Sequence, residues 1–195
     1  MLWNDPDLPE WTPAHFRIVD HPVRNFSARQ PPGVAIDALV IHDTETLDAA
    51  SVLATFDNAA EQRSSHLLID RDGTTYTLVD LAHKAWHAGV SSLFGRDDVN
   101  EFSIGLELVG VAEPEPGTHR AGPQETTLDY TDAQLTTLLA VTVHLVSVYG
   151  IPLNRIVGHA DIAVPRGRKR DPGPGFPWRD YLAAIGWQLL RRQMA

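Results

Sequence analysis

From position 35 to 41 the chain reads Ala-Ile-Asp-Ala-Leu-Val-Ile, a short apolar run bounded by Gly33 and by polar residues. That length and punctuation predict a buried strand, with His42-Asp43-Thr44 at its end. Thr46 or Asp48 can cap the helix that follows to about Ala60, which carries Val52, Leu53 and Phe56 on one face. Ser65 to Ile69 and Thr75 to Val79 alternate as strands do, and the Asp-Gly step in Asp70-Arg71-Asp72-Gly73 marks the turn of a hairpin between them. Ala85-Trp86-His87-Ala88-Gly89 reads as a loop of small residues around one indole and one imidazole. In Phe102 to Val109, Ile104, Leu106 and Leu108 share one face, so Glu107 projects from the other.

Residues 110 to 129 are rich in Pro, Gly, Glu and Thr and include His119. A structureless stretch of this length inside a compact domain predicts a mobile or functional flap. Thr131-Asp132-Ala133-Gln134 is a capping box. It opens a helix with Leu135, Leu138, Leu139, Thr142, Leu145, Val146 and Tyr149 on one stripe, stopped by Gly150 and Pro152. Ile156-Val157 ends another short buried strand, and a last helix runs from about Trp178 to Met194. Residues 1–33 carry Pro6, Pro9, Pro13, Pro22, Pro31 and Pro32 without sustained periodicity. They are expected to form an arm wrapping a domain of residues 34–195, with Trp3, Trp11 and Phe16 as anchors and with His15 and His21 at the surface. Strands and helices in this order predict an α/β domain, a central mixed sheet flanked by helices.

Composition narrows the classes. A net charge of −9 lacks the electrostatic footprint of a nucleic-acid binder. The basic run Arg166 to Arg170 is local and suits an anionic small substrate or a catalytic site. With no cysteine, a metal site would be built from His, Asp and Glu. The N-terminus has neither the basic nor the apolar region of a signal peptide, and no apolar run reaches the roughly 20 residues of a membrane span. The expected location is therefore cytoplasmic, with a periplasmic or secreted one left open.

Three residues fall into one geometry: His42 at the end of the first buried strand, His159 just after the last, and Asp171 in the loop beyond. Two histidines and a carboxylate with a fourth position open are the ligand set of a catalytic zinc site. Hydrolysis there needs a general base and a cation where the oxyanion develops. Glu107 can be the base. Lys169, on the same side of an extended segment as Asp171, can be the cation. Singly, each has an ordinary alternative: His42 as a core histidine, Glu107 as a solvent-facing strand residue, 166–170 as a solvated loop.

Taken together, His42 in Val40-Ile41-His42-Asp43-Thr44, Ala85-Trp86-His87-Ala88-Gly89, Ser103-Ile104-Gly105-Leu106-Glu107-Leu108, and Gly158-His159-Ala160-Asp161-Ile162-Ala163 followed by Arg168-Lys169-Arg170-Asp171-Pro172-Gly173-Pro174 resemble the type-2 N-acetylmuramoyl-L-alanine amidases. That zinc family shares its fold with the peptidoglycan recognition proteins. The resemblance covers residues 34–182 in order. It implies Zn2+ on His42, His159 and Asp171, water activation by Glu107, and stabilisation of the tetrahedral intermediate by Lys169. It further implies a substrate groove lined by Trp86 and His87, with Arg96 reaching peptide or sugar. Asp43, where members often carry an uncharged side chain, is a further candidate contact. The loop from Asp161 to Asp171 is longer than the family's compact form, which bears on where Lys169 sits.

The leading expectation is a zinc amidase of the anhydro-muramyl type, acting on muropeptides in cell-wall recycling. A non-catalytic peptidoglycan-binding module is the second; such modules usually lack a full ligand set, and this chain keeps one. A lytic wall-degrading amidase is the third.

Overall fold

The computed structural model describes residues 8–46, 48–110, 130–173 and 175–194. The flap at 110–129, with His119, falls outside the described residues except for Gly110, as does Trp3. The strands are β1 (Ile18–Asp20), β2 (Phe26–Ala28), β3 (Ala38–Asp43), β4 (Leu67–Ile69), β5 (Thr75–Thr77), β6 (His83–Ala85), β7 (Ser92–Leu93), β8 (Arg96–Asp97), β9 (Ser103–Leu108) and β10 (Ile156–Gly158). The helices are α1 (Ala49–Asp57), α2 (Asp132–Tyr149), α3 (His159–Ile162) and α4 (Trp178–Met194).

The central sheet runs β1-β5-β4-β9-β3-β10. It is mixed: β3 lies parallel to β9 and β10, and β9 parallel to β4, while β4 and β5 form the antiparallel hairpin announced by Asp72-Gly73. Side chains alternate across the sheet, so β9 presents one wholly apolar face, and β3 adds Leu39 and Ile41 to it, with Asp43 at the strand's end on the same side. Leu39, Ile41, Ile104, Leu106 and Leu108 pack there against Leu138, Leu145, Tyr181 and Ile185 of α2 and α4. On the opposite face Ala38 and Val40 pack with Ala88, Val99, Phe102 and Ile162, and Leu68 packs with Val52 and Phe56 of α1. His42 and Glu107 are register partners on this second face, at the C-terminal ends of their strands. Parallel sheets place ligands at that end.

Caps fix the helices. Asp48, not Thr46, caps α1 by accepting from the Ser51 amide, and α1 stops at Asp57 because Asn58 starts a separate short turn over Ala59–Glu61. Thr131 and Gln134 form the capping box of α2, and Gly150 ends that helix in the left-handed conformation. Gln134 also donates to the carbonyls of Ile69 and Val109, so α2 satisfies the end of the sheet it covers.

The N-terminal arm is joined to the domain by strand pairing. β1 is the edge strand of the central sheet, parallel to β5, and β2 pairs with β6. Each is only three residues long, too short for a period of two to show. The buried guanidinium of Arg29 locks the arm by donating to the carbonyls of Leu81, Asn100, Glu101 and Ser103. Trp11 packs on the main core and meets the His144 ring at 5.6 Å.

Candidate metal centre

Three side chains converge at the C-terminal end of β3. His42 is the penultimate residue of β3, and His159 opens α3 directly after the neighbouring strand β10. Asp171 arrives from the following loop, whose path is fixed in two ways. The Ala160 amide donates to the Asp171 carbonyl at 2.9 Å. Gly158 lets Pro172 close in: a Cβ at 158 would stand 2.9 Å from Pro172 Cδ and 3.2 Å from the Trp178 indole. Phe176, Trp178 and Tyr181 stack beneath, with Phe176 at 4.6 Å from Trp178 and 5.3 Å from Tyr181.

His42 Nδ1 lies 3.1 Å from His159 Nδ1 and 3.0 Å from Asp171 Oδ2, and His159 Nδ1 lies 3.1 Å from the same oxygen. All three residues are buried. Burial depresses the His42 imidazole to about 4, so it is neutral near pH 7 and carries one N–H. The outer nitrogen of His159 faces the carbonyl of Ala88 at 3.1 Å. A carbonyl can only accept, so His159 donates from Nε2 and turns Nδ1 toward the cluster. Electron-rich atoms at this spacing call for a cation among them. Tetrahedral zinc with bonds of about 2.0–2.1 Å would hold neighbouring donor atoms roughly 3.3 Å apart, close to what the cluster provides. The donor set fits a small divalent cation. Among the described residues it is the one such group found.

Glu107 stands across the strand pair from His42. Its Oε2 is buried and, among the described residues, has no hydrogen-bond partner. Burial, reinforced by the negative charges of Asp171 and Asp43, raises its pKa well above 4.5, while Lys169 opposes the rise. Lys169 is exposed on its longer loop, yet its charge reaches both Glu107 and His42.

The other sequence candidates are placed differently. His87, expected in a groove wall, is only 8% exposed and lies behind His42, its Nδ1 3.0 Å from His42 Nε2. Asp43, expected to meet substrate, is 5% exposed; its Oδ2 accepts from the Tyr130 hydroxyl at 3.3 Å and the Gly173 amide at 3.4 Å. It ties the end of β3 to the 171–173 loop, and burial together with Asp171 pushes its pKa up to about 6. Trp86 is half-buried and its indole N–H is taken by Ser27 of the arm.

Arg96 is placed away from the triad. Its guanidinium bonds Asp37 at 2.7 Å and covers the Phe102 ring at 3.6 Å. Asp37 precedes β3 and His42 lies five positions on, roughly 16 Å at a strand's rise per residue. Arg96 therefore serves the opposite end of the sheet, where Arg155 shares the same carboxylate. Arg96→Ala is expected to leave turnover unchanged and to lower stability by about 1–2 kcal/mol, the scale of a part-exposed ion pair plus a ring contact. Thermal melts and steady-state kinetics check this; a fall in kcat/KM would return Arg96 to the site.

Asn100, Ser103, Gly105 and Tyr130 were not singled out by sequence, though a glycine inside an apolar strand signals a close approach. At Gly105 the approach is His87: a Cβ there would stand 2.5 Å from its Cγ. Gly105→Ala is expected to displace that ring, weaken metal binding, and destabilise the fold by about 1–3 kcal/mol through overpacking. Metal titration and melting of the variant measure both; wild-type values for the two would mean the ring can yield without consequence.

The family model described as N-acetylmuramoyl-L-alanine amidase matches residues 32–174. The 1,6-anhydro-N-acetylmuramyl-L-alanine amidase AmpD of Escherichia coli is 41% identical over 167 residues, covering 84% of this chain and 80% of that protein. Its Citrobacter freundii counterpart is 43% identical over 122 residues, covering 63% of this chain but 57% of that protein. Among solved structures, a crystal structure of an AmpD derivative superposes with a TM-score of 0.69 at 34% identity, covering 89% of this chain and 96% of that one. The E. coli amidase AmiD, solved with anhydro-N-acetylmuramic acid-L-Ala-D-γ-Glu-L-Lys, gives 0.65 at 35% identity, covering 81% of this chain and 61% of that one.

Proposed function

The chain belongs to the N-acetylmuramoyl-L-alanine amidase family, and from that premise we propose that it is a zinc amidohydrolase of cell-wall recycling. It cleaves the amide between the lactyl group of N-acetylmuramic acid, anhydro or intact, and the L-alanine of the stem peptide. The observation that carries this reading is the buried triad of His42, His159 and Asp171 beside Glu107, the register partner of His42, whose buried Oε2 has no hydrogen-bond partner among the described residues. A module that only binds needs a groove, not a carboxylate with an unsatisfied buried oxygen beside a ligand set.

In this reading His42 Nδ1, His159 Nδ1 and Asp171 Oδ2 hold the ion. When bound, zinc supplies Lewis acidity, polarising the amide carbonyl and lowering the pKa of water to about 7. Glu107 takes the proton from the attacking water and returns it to the amide nitrogen as the C–N bond breaks. Burial raises its pKa first, with the charges of Asp171 and Asp43 adding; a cation in the triad would oppose those charges and shift the carboxyl toward the ionised form that a general base needs. Lys169 sits on the exposed side and meets the charge that develops on the carbonyl oxygen. Asp43 and Tyr130 steady the end of β3, and His87 stands behind it.

Lys169→Ala is expected to lower kcat by more than about tenfold, toward the scale for losing an oxyanion donor, with metal content unchanged. Near-normal turnover would show that the longer loop carries Lys169 away from the reacting carbonyl.

The anhydro sugar is the form named for the relatives and bound in the AmiD complex. Such fragments are soluble, which fits a cytoplasmic enzyme; no helix among the described residues is long and apolar enough to cross a membrane. The test is parallel digestion of soluble anhydro-muropeptide and intact sacculi. Cleavage of the soluble substrate alone supports recycling. Release of peptide from sacculi at a similar rate would favour a lytic role instead.

A further inference from the structure

Each metal-facing histidine has a second nitrogen, and what that nitrogen meets decides which tautomer the ring adopts. For His42 the answer lies in a chain of buried groups that runs away from the triad. Ser103 Oγ is 2.7 Å from the Val99 carbonyl, an acceptor only, so the hydroxyl hydrogen is committed there. Toward His87 Nε2, 3.2 Å away, Ser103 can then only accept. His87 therefore bears its proton on Nε2 and offers Nδ1 as an acceptor. His42 Nε2, 3.0 Å from His87 Nδ1, has to donate. A neutral His42 that donates from Nε2 has a bare Nδ1, the atom aimed at His159 and Asp171.

We infer that His87 is a positioning residue: through the Ser103-anchored relay it holds His42 in the one tautomer that presents Nδ1 to the metal. The inference rests on the triad being a metal site. The next residue performs the same service for His159, whose Nε2 donates to the Ala88 carbonyl. One two-residue segment thus orients both ligands. Asn100 pins it, with Oδ1 accepting from the amides of His87 at 3.1 Å and Ala88 at 2.8 Å. Gly105 supplies the floor on which the His87 ring lies. Arg168 grips the same segment from the far side, donating to the carbonyls of Ala88 and Val90. Plain packing of a buried imidazole would need none of this directionality.

The test uses the full chain as His87→Ala and His87→Asn. Three quantities are read: zinc affinity by chelator competition, melting of the metal-free protein, and imidazole 15N shifts of His42 without metal. His87→Ala is expected to weaken zinc by about 10–100-fold, the range for loss of a partner that orients a ligand. His87→Asn, whose Oδ1 can stand where Nδ1 stood, is expected to recover most of that loss. In the metal-free wild type His42 is expected as the Nε2–H tautomer. Wild-type affinity in His87→Ala, equal losses in Ala and Asn, or His42 protonated on Nδ1 would each overturn the relay. If His87→Ala fails to fold, Ser103→Ala carries the test: it frees the His87 proton, and an unchanged affinity with an unchanged His42 tautomer overturns the inference. Zinc affinity separates the two claims. A wild-type protein that takes up no zinc refutes the metal reading itself, whereas wild-type and His87→Ala proteins that bind alike refute only the relay.

Discussion

Glu107→Gln is expected to lower kcat by about a hundred- to ten-thousandfold while zinc content stays at the wild-type level, because it removes the proposed general base and none of the three proposed ligands. The substitution keeps the shape of the side chain, so substrate should still bind. It should also reveal a cost of function. The wild-type Oε2 is buried, has no hydrogen-bond partner among the described residues, and sits near the charges of Asp171 and Asp43. Exchange for a neutral amide removes that conflict, and the metal-free variant is expected to melt above the metal-free wild type. Metal analysis, kinetics and melting on one preparation check all three. A variant that loses zinc along with activity would make Glu107 a ligand and would displace Asp171 from the scheme.

Asp171→Ala is expected to abolish zinc binding and turnover together without unfolding the chain. The carboxylate supplies one of three converging donors, and its loss leaves only the two imidazoles. The loop that carries it is held by groups the substitution spares: the backbone bond from Ala160, the contact of Pro172 with Gly158, and the Phe176–Trp178–Tyr181 stack. Chelation of the wild type should give the same inactive, folded state. Its melting point should fall by the linkage contribution, about 4 kcal/mol for an ion present at a thousand times its dissociation constant. Collapse of the fold on chelation would mean the ion holds the 159–173 segment together, contrary to the apolar core beneath it.

The parts of this fold that could be read from sequence are those whose signal is local. Ala35 to Ile41 and Phe102 to Val109 announce buried strands because an apolar face or run needs no partner to be recognised. The α2 cap is written in Thr131 and Gln134, and the hairpin in Asp72-Gly73. The triad could be suspected because His42, His159 and Asp171 each follow a strand or occupy a rigid loop. The parts that could not be read depend on who lies next to whom. β1 and β2 are three-residue strands whose existence rests on β5 and β6. Arg96 matches a family position by order along the chain, but Asp37 and Phe102 draw it to the far end of the sheet. His87 reads as a groove residue from its motif; only the missing Cβ of Gly105 and the direction of the Ser103 hydroxyl place it behind His42.

The central claim is that a metal held by His42, His159 and Asp171 serves the cleavage of one particular amide. Mass analysis of the products from anhydro-N-acetylmuramyl tripeptide tests it most directly, with enzyme as purified, after chelation, and after zinc is returned. The expected result is a free peptide with an L-alanine amino terminus and a sugar bearing the lactyl carboxylate, lost on chelation and recovered with zinc. Cleavage at any other bond, or at this bond with the chelated enzyme, would contradict the account.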